Sequence, residues 1–341
     1  MVTFKENINV VFRLNFGINV GLGHLYRCLK IAKTFKNKKR IVFVFDKNFN
    51  LKSIDSVLKE YKIIFLYKGS EKFINQSNDA IRFNDITKNF RQKFTIVDDY
   101  RLSNIWHKKV KKENNKIIVI DDLLNRKMFC DFYINYKYEK FNKNRIKKYL
   151  PKKCIKLLGP KYNTLDNNLF KNKKKEYVMV NFGNSFDYKN FEIHINRIIN
   201  ICLQNKTKLV ICVGIFSKNY KFLDKVSKYK FIKILYKKFQ IEYYLNKTKV
   251  FVGSAGSSIY EMSYLNTPSI FLKIAKNQTN NQLDLNSWGK FFYFNNIKNE
   301  KYFFELLQVL IKYNSRIRRI KNKNLIKKNG IKNIFSKINL E

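Results

Sequence analysis

The stretch Gly21-Leu22-Gly23-His24-Leu25-Tyr26-Arg27-Cys28 constrains this chain more than any other. It follows the β-branched and aromatic run Ile8 to Phe12. After it, apolar residues fall at Leu25, Cys28, Leu29 and Ala32, with Phe35 one turn on. That i, i+3, i+4, i+7 spacing is one buried helix face, so the order is strand, glycine loop, helix. Gly21 and Gly23 let the backbone come close to a ligand, and the free N–H groups of a helix start favour an anion. His24 falls in the first turn. There the positive end of the helix dipole disfavours imidazolium, so His24 is expected to stay neutral and able to accept a proton. A stretch of similar build, Gly253-Ser254-Ala255-Gly256-Ser257-Ser258, stands much later in the chain.

Strand and helix patterns alternate around the first of these stretches. Strands are expected at Asn9 to Leu14, Arg40 to Asp46, Lys62 to Tyr67, Phe94 to Val97, Lys116 to Ile120 and Phe132 to Tyr136. Helices are expected near Leu25–Lys36, Ile54–Glu60, Asn78–Lys88 and Arg101–Asn114. Short apolar strands without alternation are buried on both faces, which means a parallel sheet. Gly159-Pro160 is a turn signal and Lys171 to Lys175 a solvated run, so the domain boundary is placed between them. The pattern then restarts. Strands are expected at Tyr177–Phe182, Lys208–Val213, Lys230–Tyr236, Lys249–Val252 and Ser269–Leu272. Helices are expected near Asn190–Gln204, Phe222–Lys228, Gln240–Asn246 and Ser257–Leu265, with one or two more and a basic tail beyond Lys298. The expected fold is α/β, with two Rossmann-like domains facing a cleft: residues 1–160 carrying the catalytic loop, and residues 175–341 with the C-terminal helices. Ligands in such sheets sit beyond the carboxyl ends of the strands.

The chain has 341 residues, of which 45% are hydrophobic, and a formal charge of +45. A core of useful size excludes global disorder. The charge is open to two explanations. It could serve nucleic acid, since dense positive charge supplies the sequence-independent part of such binding. It could also follow from a composition rich in Lys, Asn, Ile and Phe, with the lysines spread along the whole chain. In either case it helps attract anionic substrates. Cys28, Cys130, Cys154, Cys202 and Cys212 form no close pairs, which argues against a disulfide framework or a zinc knuckle. Cys28 and Cys212 lie in apolar runs as small core residues. No signal-peptide pattern and no membrane-length apolar run is present, so a cytoplasmic protein without a transmembrane segment is expected.

Polar clusters fall at the expected strand ends. Asp98-Asp99-Tyr100 and Asp121-Asp122 offer paired carboxylates, which could bind a metal, act as acid and base, or only cap helices and form turns. Asn181-Phe182-Gly183-Asn184 could meet a phosphate or simply reverse the chain. Gly256 and Ser257 would offer N–H and hydroxyl donors to a diphosphate. Glu261, a turn later, could accept ribose hydroxyls or complement the helix dipole. Asn277-Gln278 is a further polar pair near the same edge. His107 and His194 stand in polar helical contexts and are read as surface residues. No GxSxG, HExxH or P-loop is present.

Taken in order, these segments resemble the UDP-sugar hydrolases of pseudaminic acid biosynthesis, which release UDP from UDP-2,4-diacetamido-2,4,6-trideoxy-β-L-altropyranose. The matching segments are Arg13 with Gly21 to Cys28, Asp98-Asp99-Tyr100, Ile120 to Leu123 with Cys130-Asp131, and Leu157 to Tyr162. They continue with Phe182 to Asn190, Gly253 to Glu261 and Asn277-Gln278. The match runs from about residue 10 to residue 280. Asn15, Gly17 and Asn184 depart from the pattern. The resemblance implies a glycosyltransferase-B-like fold, similar to the N-acetylglucosaminyltransferase of lipid II synthesis. It implies His24 as the catalytic residue, activating water for inverting attack at the anomeric carbon. The implied substrate contacts are Arg13, Gly21, Gly23, Arg27, Tyr100, Gly183, Gly256, Ser257, Glu261, Asn277 and Gln278. No cofactor, metal or obligatory nucleic acid is implied, and a monomer is expected. Two other functions compete: a glycosyltransferase of the same fold using a UDP-sugar donor, and a basic nucleic-acid-binding protein. The latter needs lysines interleaved with aromatics, of which Tyr133, Tyr136, Tyr138 and Phe141 offer a little.

Overall fold

The computed structural model describes residues 6–17, 20–47, 57–137, 143–183, 191–214, 220–236, 241–274, 278, 290–295, 300–320 and 326–339. The chain forms two compact units, Met1–Thr164 with Asn329–Glu341, and Leu165–Lys328.

The first unit runs β1 (Val10–Leu14), α1 (Gly23–Ala32), β2 (Ile41–Phe45), β3 (Lys62–Phe65), α2 (Gln76–Thr87), β4 (Phe94–Asp98), α3 (Asn104–Val110), β5 (Lys116–Ile120), β6 (Phe132–Asn135), α4 (Lys143–Tyr149) and β7 (Ile155–Leu158). The seven strands pair in the order β3-β2-β1-β4-β5-β6-β7, and every pairing is parallel. The apolar runs of β1 and β2 are buried along their full length, as strands covered on both faces must be. The order reverses at β1, which has β2 on one side and β4 on the other. The carboxyl ends of β1 and β4 therefore flank a topological switch point, with Leu14 opposite Asp98.

The second unit repeats the plan. It contains β8 (Tyr177–Asn181), α5 (Phe191–Gln204), β9 (Lys208–Val213), α6 (Tyr220–Val226), β10 (Ile232–Tyr236), α7 (Glu242–Asn246), β11 (Thr248–Ser254), α8 (Ser258–Leu265), β12 (Ser269–Leu272), β13 (Phe291–Phe294), α9 (Glu300–Lys312) and α10 (Asn314–Arg319). The strand order is β10-β9-β8-β11-β12-β13, again all parallel. The switch lies between β8 and β11, where Gly253 pairs with Asn181. A Cβ at Gly253 would run into the Asn181 carbonyl and the Phe251 ring, so this close approach requires glycine.

The alternation expected from the sequence is present, with these differences. The helix expected over Arg101–Asn114 spans only Asn104–Val110, because Ser103 caps it and Arg101 is drawn into an ion cluster described below. Of the helix expected near Ile54–Glu60, residues 54–56 lie outside the described residues. The edge strands β7 and β13 have no counterpart in the sequence reading. β7 is a four-residue strand whose first residue, Ile155, is exposed, and β13 is only four aromatic residues long.

The C-terminal segment also differs. The second unit ends at Lys328, and α11 (Gly330–Ile338) belongs to the first. The Phe335 ring packs at a tilt on Phe35, with centroids 4.9 Å apart, and Asn333 donates to the Lys161 carbonyl. Gly330 packs so closely on Asn163 that a Cβ would overlap its backbone N, C and O.

Both helical histidines are buried rather than at the surface. His194 packs near Phe304 on the inner face of α5. His107 accepts the Phe129 N–H at Nδ1, while its Nε2 is buried without a partner. All five cysteines are free and buried. Tyr133 and Tyr136 face the core, so they form no exposed stacking platform; Tyr138 and Phe141 lie outside the described residues. Among the described residues no helix is long and apolar enough to cross a membrane.

Two outcomes are expected. Gly330→Ala should cost about 1–3 kcal/mol in urea unfolding, the usual range for overpacking, and an unchanged midpoint would mean that α11 does not dock this way. Burial, with Arg126 adding to it, pushes the His107 imidazole down to about 3. The unfolded chain then binds a proton that the folded chain refuses. The contribution is complete above about pH 6.5 and is lost at ~1.4 kcal/mol per pH unit on the way down towards 3. His107→Leu should flatten that part of a stability-versus-pH curve.

Candidate active site

The first site grows out of the loop between β1 and α1. Gly17 and Gly21 bridge each other, with the Gly21 N–H donating to the Gly17 carbonyl at 2.7 Å. Gly21 has φ +79°, a left-handed conformation that favours glycine, and a Cβ at Gly21 or Gly23 would meet nothing within 4 Å. The chain then enters α1, whose first turn carries His24. The first N–H groups of a helix have no intrahelical partner, so this turn presents donors together with an imidazole.

His24 Nδ1 lies 2.5 Å from Asp98 Oδ1. Asp98 is the last residue of β4 and is completely buried. Burial works against its charge, but Arg27 and then His24 hold its carboxyl below the usual range. An ionised carboxylate can only accept, so Nδ1 carries the proton and Nε2 keeps its lone pair. Arg27, one turn after His24, donates Nε and Nη2 to the two oxygens of Asp98. Its Nη1 donates to Asp122 at 2.6 Å. Tyr100 donates to the same Asp122 oxygen at 2.5 Å, and its ring meets the His24 ring edge-on, with centroids 4.6 Å apart. The α1 and strand-end residues thus form one network at the switch point.

A second charged cluster lies beside it. Arg13 is fully buried. It donates to Asp79 at 3.2 and 2.6 Å, to Asp46 at 2.7 Å and to the Leu14 carbonyl. Asp99 is bound by Arg101, which also reaches Asp46. Tyr67 and Trp106 donate to Asp79. With its guanidinium enclosed in this way, Arg13 is placed to hold the loop rather than to touch a ligand. Arg27 is likewise buried and committed to carboxylates, so its geometry is that of a support for His24 rather than a substrate contact.

The paired aspartates are therefore used separately. Asp98 serves His24 and Arg27, Asp99 serves Arg101 and Asp122 serves Arg27 and Tyr100. Asp121 and Asp99 also follow the turn-forming pattern: Asp121 accepts the Leu123 and Leu124 N–H groups while paired with Arg126, and Asp99 accepts the Arg101 N–H. The sequence offered a signal for Asp98 and Asp122, a carboxylate at each strand end, but not their partners.

In the second unit, Gly183 follows β8 with φ +79°, and its N–H donates to the Asn181 side chain. A Cβ there would come within 3.8 Å of Ser254 Oγ. Gly256 lies between β11 and α8, next to Ser254 Oγ and Gln278 Nε2. Ser257 is exposed at the helix start and its hydroxyl makes no capping bond. Gln278 accepts the Ile274 N–H through Oε1, and its carbonyl accepts from Tyr293. Glu261 stands in the first turn of α8. Gly183, Gly256, Ser257 and Gln278 are thus brought to one sheet edge. Asn277 and Asn184 lie outside the described residues.

No protein-family model matches the sequence, and no curated protein matches it at a significant level. Solved structures do match in fold. A UDP-N-acetylglucosamine 2-epimerase aligns with a TM-score of 0.66 at 10% identity, over 98% of this chain and 95% of the other. Staphylococcus aureus MnaA, solved with UDP, aligns with a TM-score of 0.63 at 12% identity, over 98% of each chain. Acinetobacter baumannii MurG aligns with a TM-score of 0.59 at 12% identity, over 98% of this chain and all of the other. The fold is thus two Rossmann-like α/β units of glycosyltransferase-B type.

Asp98 is met by the Arg27 guanidinium and the His24 Nδ1–H and has no solvent-exposed surface, so its replacement is expected to be costly. Asp98→Asn should destabilise the first unit by about 3 kcal/mol in urea unfolding, since it leaves a buried guanidinium short of charge. A loss below ~0.5 kcal/mol would show that Asp122 alone satisfies Arg27.

Proposed function

We propose that this chain is a nucleotide-sugar hydrolase that releases UDP from a UDP-linked 2,4-diacetamido-2,4,6-trideoxy hexose, in pseudaminic acid biosynthesis. The observation that carries the proposal is the Asp98–His24 pair in the first turn of the glycine-loop helix, beside Tyr100. With Nδ1 committed to Asp98, Nε2 is the nitrogen that takes a proton from water. The water oxygen bonds to the anomeric carbon with inversion. The bond from that carbon to the diphosphate breaks, and UDP leaves with the electron pair. Asp98 stabilises the imidazolium that forms, a general-base role typically worth about 10² to 10⁴-fold.

The UDP moiety is assigned to the second unit. Gly183, Gly256 and Ser257 supply backbone and hydroxyl donors to the diphosphate at the start of α8, where the helix dipole favours negative charge. Glu261 is assigned to the ribose hydroxyls, and Asn277 and Gln278 to the diphosphate and sugar. UDP is already a good leaving group, so fixed donors aimed at its developing charge do much of the work. The match in fold to MnaA solved with UDP and to a UDP-N-acetylglucosamine 2-epimerase supports a UDP-sugar ligand.

A proton NMR time course with the UDP-diacetamido-altrose and EDTA tests this. Free UDP and free sugar are expected, with the inverted anomer formed first and no acceptor needed. His24→Ala should lower turnover by about 10² to 10⁴-fold while the fold is retained. A UDP-sugar changed only in configuration would indicate an epimerase. Tight UDP binding without turnover would indicate a transferase awaiting its acceptor. Full activity in His24→Ala would sink the assignment.

A further inference from the structure

We propose that Asp122 is a positioning residue for this reaction: it fixes the Tyr100 phenol beside His24 and draws part of the Arg27 charge away from Asp98. The inference rests on the hydrolase reading of His24. It concerns a carboxylate that strand-end position alone leaves open between a metal ligand, an acid or base and a cap.

Tyr100 and Asp122 each lie two residues beyond the end of their strand, β4 and β5, which are neighbours in the sheet. One Asp122 oxygen accepts from both the Tyr100 hydroxyl and Arg27 Nη1. The Tyr100 ring is thereby held at both ends, by this bond and by its edge-on contact with His24 at 75°. Burial, reinforced by Asp122, pushes the Tyr100 phenol well above its ordinary value, so it remains a donor. Burial opposes charge on Asp122, but Arg27, Lys137 and the Tyr100 bond hold its carboxyl down to about 2. It is therefore an anion at any working pH.

Arg27 brings one positive charge and places two N–H groups on Asp98 and one on Asp122. A guanidinium devoted to Asp98 alone would neutralise the carboxylate that has to stabilise imidazolium on His24. Shared between two anions, it leaves Asp98 partly negative. The other groups at this end of the unit are Cys28 on α1, which faces Asp98, Tyr136 beyond β6, a neutral phenol whose oxygen lies 3.5 Å from Arg27 Nη1, and Lys137, whose charge acts on Asp122. Asp122 itself has no contact with His24, so its effect passes through Tyr100 and Arg27.

The experiment has two parts. The first uses the full chain without substrate, labelled with ¹³C at tyrosine Cζ, with Tyr100 assigned by comparison with Tyr100→Phe. Asp122→Asn should move the Tyr100 phenol titration down towards its ordinary value, and an unchanged titration would overturn the proposal. The second follows kcat and kcat/KM against pH with the UDP-diacetamido sugar. Asp122→Asn should lower kcat by up to ~100-fold with KM nearly unchanged, the size expected of a misplaced catalytic group. The acidic limb of its kcat/KM profile should move to lower pH, because a negative charge is lost. In Tyr100→Phe, Asp122 loses a donor and takes more of Arg27, so that limb should move to higher pH. Movement of both limbs in the same direction would indicate a structural role only and sink the proposal. If the wild-type chain releases no UDP, the hydrolase reading fails, while the phenol titration still decides the part played by Asp122.

Discussion

Asp98 is a carboxylate with no solvent-exposed surface, and an ion in that position is tolerated only when its charge and its lone pairs are met by the protein. Arg27 and His24 meet them from successive turns of α1. The helix cannot rotate or slide without breaking that ion pair. The orientation of His24 depends on this contact. Tyr100 and Asp122 are fastened to the same group from the ends of β4 and β5. A network of this kind is stable when complete and costly when one member is removed, which makes it a stiff mount for a single imidazole.

The Arg13 cluster plays a complementary part. Arg13, Asp46, Asp79, Asp99 and Arg101 gather five charged side chains below the loop, with two arginines against three carboxylates. Arg13 comes from β1 itself, so the strand that leads into the glycine loop is tied to α2 and to the segment after β4. The second unit has no comparable ion cluster at its switch point among the described residues. Its sheet edge is built from glycines and small polar groups, which suits close approach of a diphosphate to backbone donors. The two switch points therefore differ in residue type: ion pairs surround the first, and glycines and small polar groups line the second.

Much of this was legible in the residues. The strand–loop–helix sense of Gly21 to Cys28 follows from apolar spacing and glycine placement, and so does the parallel character of both sheets. The placing of His24 in a first turn, and of Asp98 and Asp122 at strand ends, needed no coordinates. Arg13, which the resemblance implies as a substrate contact, is enclosed by three carboxylates from distant segments. The two histidines expected at the surface are buried for a physical reason. His107 and His194 stand among polar neighbours in sequence, but a helix turns each of them inward. The edge strands β7 and β13 are too short for their own residues to declare them, and their pairing comes from the strand already beside them.

The sequence by itself determined what is local: the alternation of strands and helices, the turn at which each glycine stands and the residue types at the strand ends. Those properties depend on backbone sterics and on apolar periods of a few residues. Only the tertiary structure decided which charge meets which. Arg27 finds Asp98 and Asp122 across separations of 71 and 95 residues. α11 returns from the far end of the chain to pack Gly330 on Asn163. Nothing within a short window encodes such pairings. They arise when parallel strands bring their carboxyl ends to one edge and buried charges must find partners there.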